Sequence, residues 1–302
     1  QALLHLKTMV KIDDAPDFRE QRNSYPPLCV GSADLMAEDV QRLLFYRAFM
    51  PRSVMVDYLK VLISFHLALY YLRLFKLLPA LVRRAAGDPV CAACPVQPQS
   101  FDNPHGDCPY RIGLLLDIEG QTGSAMARLA ERSADTHYRR ISDFIKANFI
   151  AKKLDEFAMY LVQRNRLPAP PSGGFPIGQV LELLQPRFQQ EREVFFDQRV
   201  QRIVEDSTAA ANSELEPEIK AILDLKLSNF DTYVEILVAL RGPFHRKYAV
   251  QCLDSLLLKN DPGALLTQLR NRRDSPRRFI LDSRLLEVLL QVAVLRPGGA
   301  LG

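Results

Sequence analysis

The sequence predicts a mainly α protein: an irregular helical bundle with a zinc-binding loop and a second, smaller helical domain of winged-helix-like character. Three observations predict it. Apolar residues recur at helical spacing over most of the chain. Strand signals are few, with Arg278 to Asp282 the clearest, which suits the edge of a small winged-helix-like unit. One proline-rich stretch breaks the pattern and holds three of the five cysteines within eighteen residues.

Residues 1–33 read as an irregular arm, broken by Pro16 and by Pro26-Pro27. A helix is expected from Ser32 or Asp34, either of which can cap it, until Pro51 stops it. Ser53 can then cap a long helix from Val54 to Val82. It is apolar nearly all round, as a helix at the centre of a bundle is, and Pro79 is expected to kink or restart it. Its uncharged part, Val61 to Leu72, spans twelve residues, fewer than the ~20 of a membrane-spanning helix, so a buried core helix and no membrane contact are expected.

The zinc-binding loop covers 87–110, and Ile112 to Ile118 is a short apolar run of either type. Ser124 to Arg166 gives one or two long amphipathic helices. The Pro/Gly linker at 167–176 then divides a helical domain, 34–166, from a C-terminal helical domain, 177–302. Its helices are expected at Ile177 to Leu184, from Pro186 through Ile203, at Pro217 to Leu227, Phe230 to Leu240, Phe244 to Leu258 and Ala264 to Arg270. Ser283 to Leu295 closes the series, capped by Asp282 or Ser283.

The zinc assignment rests on Cys91, Cys94, His105 and Cys108, spaced C-x2-C-x10-H-x2-C. Three thiolates and an imidazole suit a tetrahedral structural Zn2+, and four protein ligands leave no position open for a reacting water. Cys29 sits in a turn-like setting and can replace His105 as fourth ligand if the fold brings it close. Cys252 is expected to be buried. A deaminase-type site would need a glutamate two residues after the histidine, where Asp107 stands instead.

Arg270, Arg272, Arg273, Arg277 and Arg278 form the densest basic cluster, five arginines in nine residues. Guanidinium groups grip phosphate oxygens through paired donors, so this loop is the candidate DNA or RNA contact. A solvated loop, or a surface for acidic residues of a partner protein, accounts for the same residues. Arg241, His245, Arg246 and Lys247 can join the cluster if the segments pack together. His66, in the core helix, reads as a buried hydrogen-bonded residue rather than a base. Asp117 and Glu119 at the end of an apolar run fit a metal-dependent nuclease only weakly. No nucleophile elbow, P-loop, dinucleotide glycine pattern or H-E-x-x-H occurs.

Composition sets broad limits. The 302 residues are 48% hydrophobic and 25% charged, as in a soluble globular protein. A net charge of +4 and a pI near 8.8 permit a nucleic-acid or acidic partner without requiring one. Clustered thiols favour a reducing compartment, and the N-terminus shows no signal-peptide pattern, so the expected location is cytoplasmic. Gln1 and the Gly-rich tail after Leu295 read as the ends of a fragment.

The segment from Leu43-Leu-Phe-Tyr-Arg-Ala-Phe-Met-Pro51 to Leu78, with Arg278-Phe-Ile-Leu-Asp-Ser-Arg-Leu-Leu-Glu-Val288, resembles uncharacterised accessory subunits of bacterial anti-phage defence systems. The resemblance implies a context, a soluble bacterial protein acting beside DNA-directed partners, and assigns no site residues. With no catalytic motif in view, the expected function is a non-enzymatic, zinc-stabilised accessory or scaffold subunit of a larger protein complex. The alternatives are a direct DNA- or RNA-binding protein using the arginine loop, and the nuclease.

Overall fold

The computed structural model describes residues 29–83, 112–170, 174–210, 217–258, 263, 265–268 and 275–295. Among them lie eight helices: α1 (Val30–Phe45), α2 (Arg52–Arg83), α3 (Ala125–Gln163), α4 (Ile177–Glu182), α5 (Gln189–Ala210), α6 (Pro217–Asp224), α7 (Asn229–Leu257) and α8 (Ser283–Val294). Two short strands, β1 (Leu266–Thr267) and β2 (Arg278–Phe279), pair antiparallel. The mainly α expectation holds.

Each helix end has a local cause. Helix α1 begins at Val30, a little before the expected caps, after Cys29 in an extended conformation. Helix α2 starts directly after Pro51, whose carbonyl accepts from the Met55 amide. Pro79 removes one backbone donor, yet the helix continues to Arg83. Helix α3 is a single helix of 39 residues, opened by the Ser124 hydroxyl accepting from the Ala127 amide at 3.1 Å. It stops at Asn165, which adopts the left-handed φ of 57°. The Asn165 amide donates to Val162 and the Arg166 amide to Leu161, the paired closure of a Schellman motif.

The apolar positions of α2 are buried by neighbours on several sides. Helices α1, α3, α7 and α8 all pack on it, and α7 also packs on α3, α5 and α6. By length and composition α2 would suffice to cross a membrane, but half of its most apolar stretch is buried within this fold. The segment at 167–176 is the connection between α3 and α4, and helices from both sides of it contribute to one apolar cluster running from Leu43 to Val292. An aromatic chain crosses that connection. Phe157 of α3 meets Phe195 of α5 at 5.3 Å, and Phe196 of α5 meets Phe230 of α7 at 4.8 Å.

Two expected elements differ. Phe230 to Leu240 and Phe244 to Leu258 are one helix, α7, which runs through Pro243. Pro243 is exposed there, so water can serve the carbonyl that loses its partner. Within the helix expected at Ala264 to Arg270, the described residues 265–268 carry strand β1 instead, with Leu265 and Leu266 fully buried and Leu266 paired with Phe279. Seven residues are too few for periodicity to separate the two states. The Ile112–Ile118 run is extended beside β2, with the Asp117 amide donating to the Phe279 carbonyl at 2.9 Å.

Phe157 is fully buried at the centre of the aromatic chain. Replacing Phe157 with Ala is expected to cost ~3–5 kcal/mol of folding stability, whereas Phe49→Ala, at a residue 78% exposed, should stay within about 0.5 kcal/mol. Chemical denaturation of the two variants checks both values.

Candidate functional site

The zinc ligands Cys91, Cys94, His105 and Cys108 and the arginines Arg270, Arg272 and Arg273 lie outside the described residues. Arg277 and Arg278 are described, and both are engaged internally. Arg277 donates from Nε and Nη2 to the two carboxylate oxygens of Asp254, at 3.1 and 2.7 Å. Its guanidinium also lies over the Tyr138 ring, 4.5 Å from the centroid. The Tyr138 hydroxyl donates to Asp254 at 2.6 Å. Burial, reinforced by the Asp254 charge, raises the Tyr138 pKa far above that of a free phenol, so the hydroxyl remains a donor. The three side chains therefore tie β2 to α3 and α7.

Arg278 is committed in a different direction. Its Nε lies 3.3 Å from Oδ2 of buried Asp117, an ionic contact without good hydrogen-bond alignment. The other Asp117 oxygen accepts from the Glu119 and Gly120 amides at 3.1 Å each. Asp117 thus closes a turn and neutralises Arg278, which occupies the carboxylate a nuclease would give to a metal. Among the described residues, no three His, Cys, Asp or Glu side chains gather to hold an ion.

The remaining polar candidates serve the packing of α1, α2 and α3. Cys29 Sγ lies 3.1 Å from both the Ser32 hydroxyl and Arg73 Nη1, at the α1–α2 contact. Buried His66 meets Asp39 across the same interface at 3.2 Å, as its hydrogen-bonded reading requires. Cys252, expected inside, is exposed, because α7 turns Leu253 and Leu257 inward instead. His137 is buried under the extended segment, with Nε2 donating to the Gly113 carbonyl at 3.2 Å and Nδ1 accepting from Arg140 at 3.3 Å. Both contacts fit the neutral ring.

Two exposed surfaces carry residues that the sequence reading left in the core or on plain helix faces. On α8, Leu285, Val288 and Val292 face inward while Leu286, Leu290 and Val294 form a second, outward stripe. The Tyr46 hydroxyl donates to the Gln291 carbonyl at 3.2 Å, which sets the end of α1 beside α8. Phe45 and Phe49 there are 62% and 78% exposed. The second surface is the part of α7 around Pro243, where residues 243–248 are exposed in succession. Phe244 and Tyr248 contact each other at 4.5 Å between centroids, with Arg241, Arg246 and Lys247 exposed around them. The legible signal for α8 is a helix apolar on both faces, Leu-Leu-Glu-Val-Leu-Leu-Gln-Val-Ala-Val.

The His137 pKa is lowered from its ordinary 6.5, first by burial and then by the charges of Arg140 and Lys76, against the opposing Gly113 hydrogen bond. The unfolded chain therefore takes up this proton at a higher pH than the folded one. Stability should be constant with respect to this group above pH 6.5 and fall as the pH drops below it. Melting temperatures from neutral to mildly acidic pH should decline less in His137→Gln than in the wild type, and equal declines would refute the assignment.

No curated protein and no solved structure matches the chain. A family model does, the one described as "Methylation-associated defense system protein MAD7", over residues 1–302. With its entire length matched, the chain belongs to the MAD7 family of methylation-associated defense system proteins.

Proposed function

We propose that this chain is a non-enzymatic accessory subunit that holds other proteins of its defense system together. The observation that carries this reading is the exposure of Phe45 and Phe49 at the end of α1 and of Leu286, Leu290 and Val294 on α8, two elements joined by the Tyr46–Gln291 hydrogen bond. Large apolar side chains grouped on a folded surface favour burial against a partner. Among the described residues, His66, Asp117, Arg277 and Arg278 meanwhile serve internal ties. A tagged chain co-expressed with the other proteins of its system should retain some of them after nuclease treatment. Phe49→Asp with Leu290→Asp should release them while circular dichroism stays unchanged. Retention by the double variant would sink the proposal.

The zinc site belongs to the same reading. Three thiolates and an imidazole at Cys91, Cys94, His105 and Cys108 match a borderline-soft divalent ion, and a closed set of four holds a loop in place. Cys29 already has Arg73 beside its sulfur, a cation that competes with any metal there, which favours His105 as fourth ligand. Clustered reduced thiols suit a cytoplasmic location. Metal analysis should find about one zinc per chain, lost in Cys94→Ser. A metal-free wild type, purified without chelator, would remove the ion from the account.

A second reading, direct contact with nucleic acid, is favoured by α7 more than by the arginine loop. Residues 236–253 contain no carboxylate, and their exposed part joins an aromatic pair to three cations. Bases stack on aromatic rings while cations follow the phosphates. Arg277 and Arg278 are held by Asp254 and Asp117, leaving Arg270, Arg272 and Arg273 as the loop's contribution. Partners lost on nuclease treatment in the co-expression experiment would support this reading over the first.

A further inference from the structure

Helical spacing puts Arg241, Phe244 and Tyr248 on one face of α7, at i, i+3 and i+7, and sets Lys247 on the other side of the two rings, three residues after Phe244. The rings are 59% and 54% exposed and touch at 4.5 Å between centroids, tilted by 55°. A further contact fixes them from the inside. His245 meets buried Phe149 of α3 edge-on at 5.2 Å and Phe244 at 5.7 Å, so a series of rings runs from the core to the surface. Arg241 and Lys247 are exposed and, among the described residues, form no ion pair. The two carboxylates that bound this stretch of α7 are occupied, Glu235 by Lys146 and Asp254 by Arg277.

Ring faces held outward between two cations suit a polyanion that has flat apolar faces of its own. A nucleic-acid duplex keeps its base faces stacked inside and offers only base edges and phosphates, whereas a single strand exposes the faces as well. A helix that reads a duplex also has to enter a major groove about 12 Å wide. This stretch of α7 is fastened to the bundle on both sides, by buried Leu237 and Gly242 before the rings and buried Leu253 after them. Residues 241–248 extend over about 10 Å, room for two or three bases. Resting on the nucleic-acid reading of α7, we propose that this face is a stacking platform for single-stranded nucleic acid. Phe244 and Tyr248 take the bases, and Arg241 and Lys247 take the phosphates on either side.

Fluorescence anisotropy of the full chain with a labelled oligothymidylate of about 16 nucleotides tests this, beside a labelled duplex of the same length. The single strand should bind about tenfold more tightly than the duplex. Phe244→Leu with Tyr248→Leu, which keeps apolar bulk and removes the rings, should weaken single-strand binding by about tenfold or more, the scale of lost base stacking. Exchanging the two rings, Phe244→Tyr with Tyr248→Phe, should change it by no more than about twofold. Arg241→Gln with Lys247→Gln should flatten the salt dependence of single-strand binding. Equal affinity for strand and duplex, lost with the cations but untouched by the leucine pair, would overturn the stacking platform and leave the nucleic-acid reading standing. No binding to either probe would overturn both. Anionic phospholipid vesicles that bind through Phe244 and Tyr248 when the oligothymidylate does not would reassign the face to a lipid surface.

Discussion

Helix α2 buries side chains around most of its circumference, and a rod of 32 residues with so little polar surface is stable in water only when several neighbours enclose it. That constraint sets the architecture. Helix α3 covers one flank, α1 and α8 another, and α7 closes the remainder while reaching out to α5 and α6. Helices α1 and α3 are amphipathic and face water on their far sides, whereas α8 keeps a second apolar stripe outside and α7 exposes Phe244 and Tyr248. The proposed docking surface is thus what remains after the interior demand has been met.

Polar groups drawn inside by this packing are matched one against another. Asp39 with His66, Asp254 with Arg277 and Tyr138, and Asp117 with Arg278 each join elements that are distant in sequence. Such pairs add little net stability relative to apolar packing, but losing one partner leaves a desolvated charge behind. They favour one relative placement of the helices over others that the apolar surfaces alone would tolerate.

Long helices were legible because their periodicity extends over many turns. Asp282 was readable as a cap, and α3 ends at Gln163, three residues before the expected Arg166. Short elements were less so, since the apolar residues of Leu265 to Thr267 fit a helix turn as well as a strand, and only the pairing of Leu266 with Phe279 separates the two. Pro243 looked like a boundary because sequence reasoning sees the missing donor and not the water that can replace it. The arginine loop shows a deeper limit. A run of positive charge announces an affinity for carboxylate and phosphate alike, and it was the fold that set Asp254 and Asp117 beside Arg277 and Arg278.

The contacts of α8 with the first helices span most of the chain: Tyr46 reaches Gln291 and Tyr58 reaches Glu287, separations of 245 and 229 residues. During synthesis, the flank of α2 that α8 covers must wait until more than two hundred further residues have left the ribosome. An apolar helix kept waiting in this way is a natural client for chaperones and a starting point for aggregation. The same ordering makes the last helix a quality checkpoint. A chain truncated before residue 283 would carry every other element of the bundle and still expose one flank of its central helix to the proteolytic machinery of the cell.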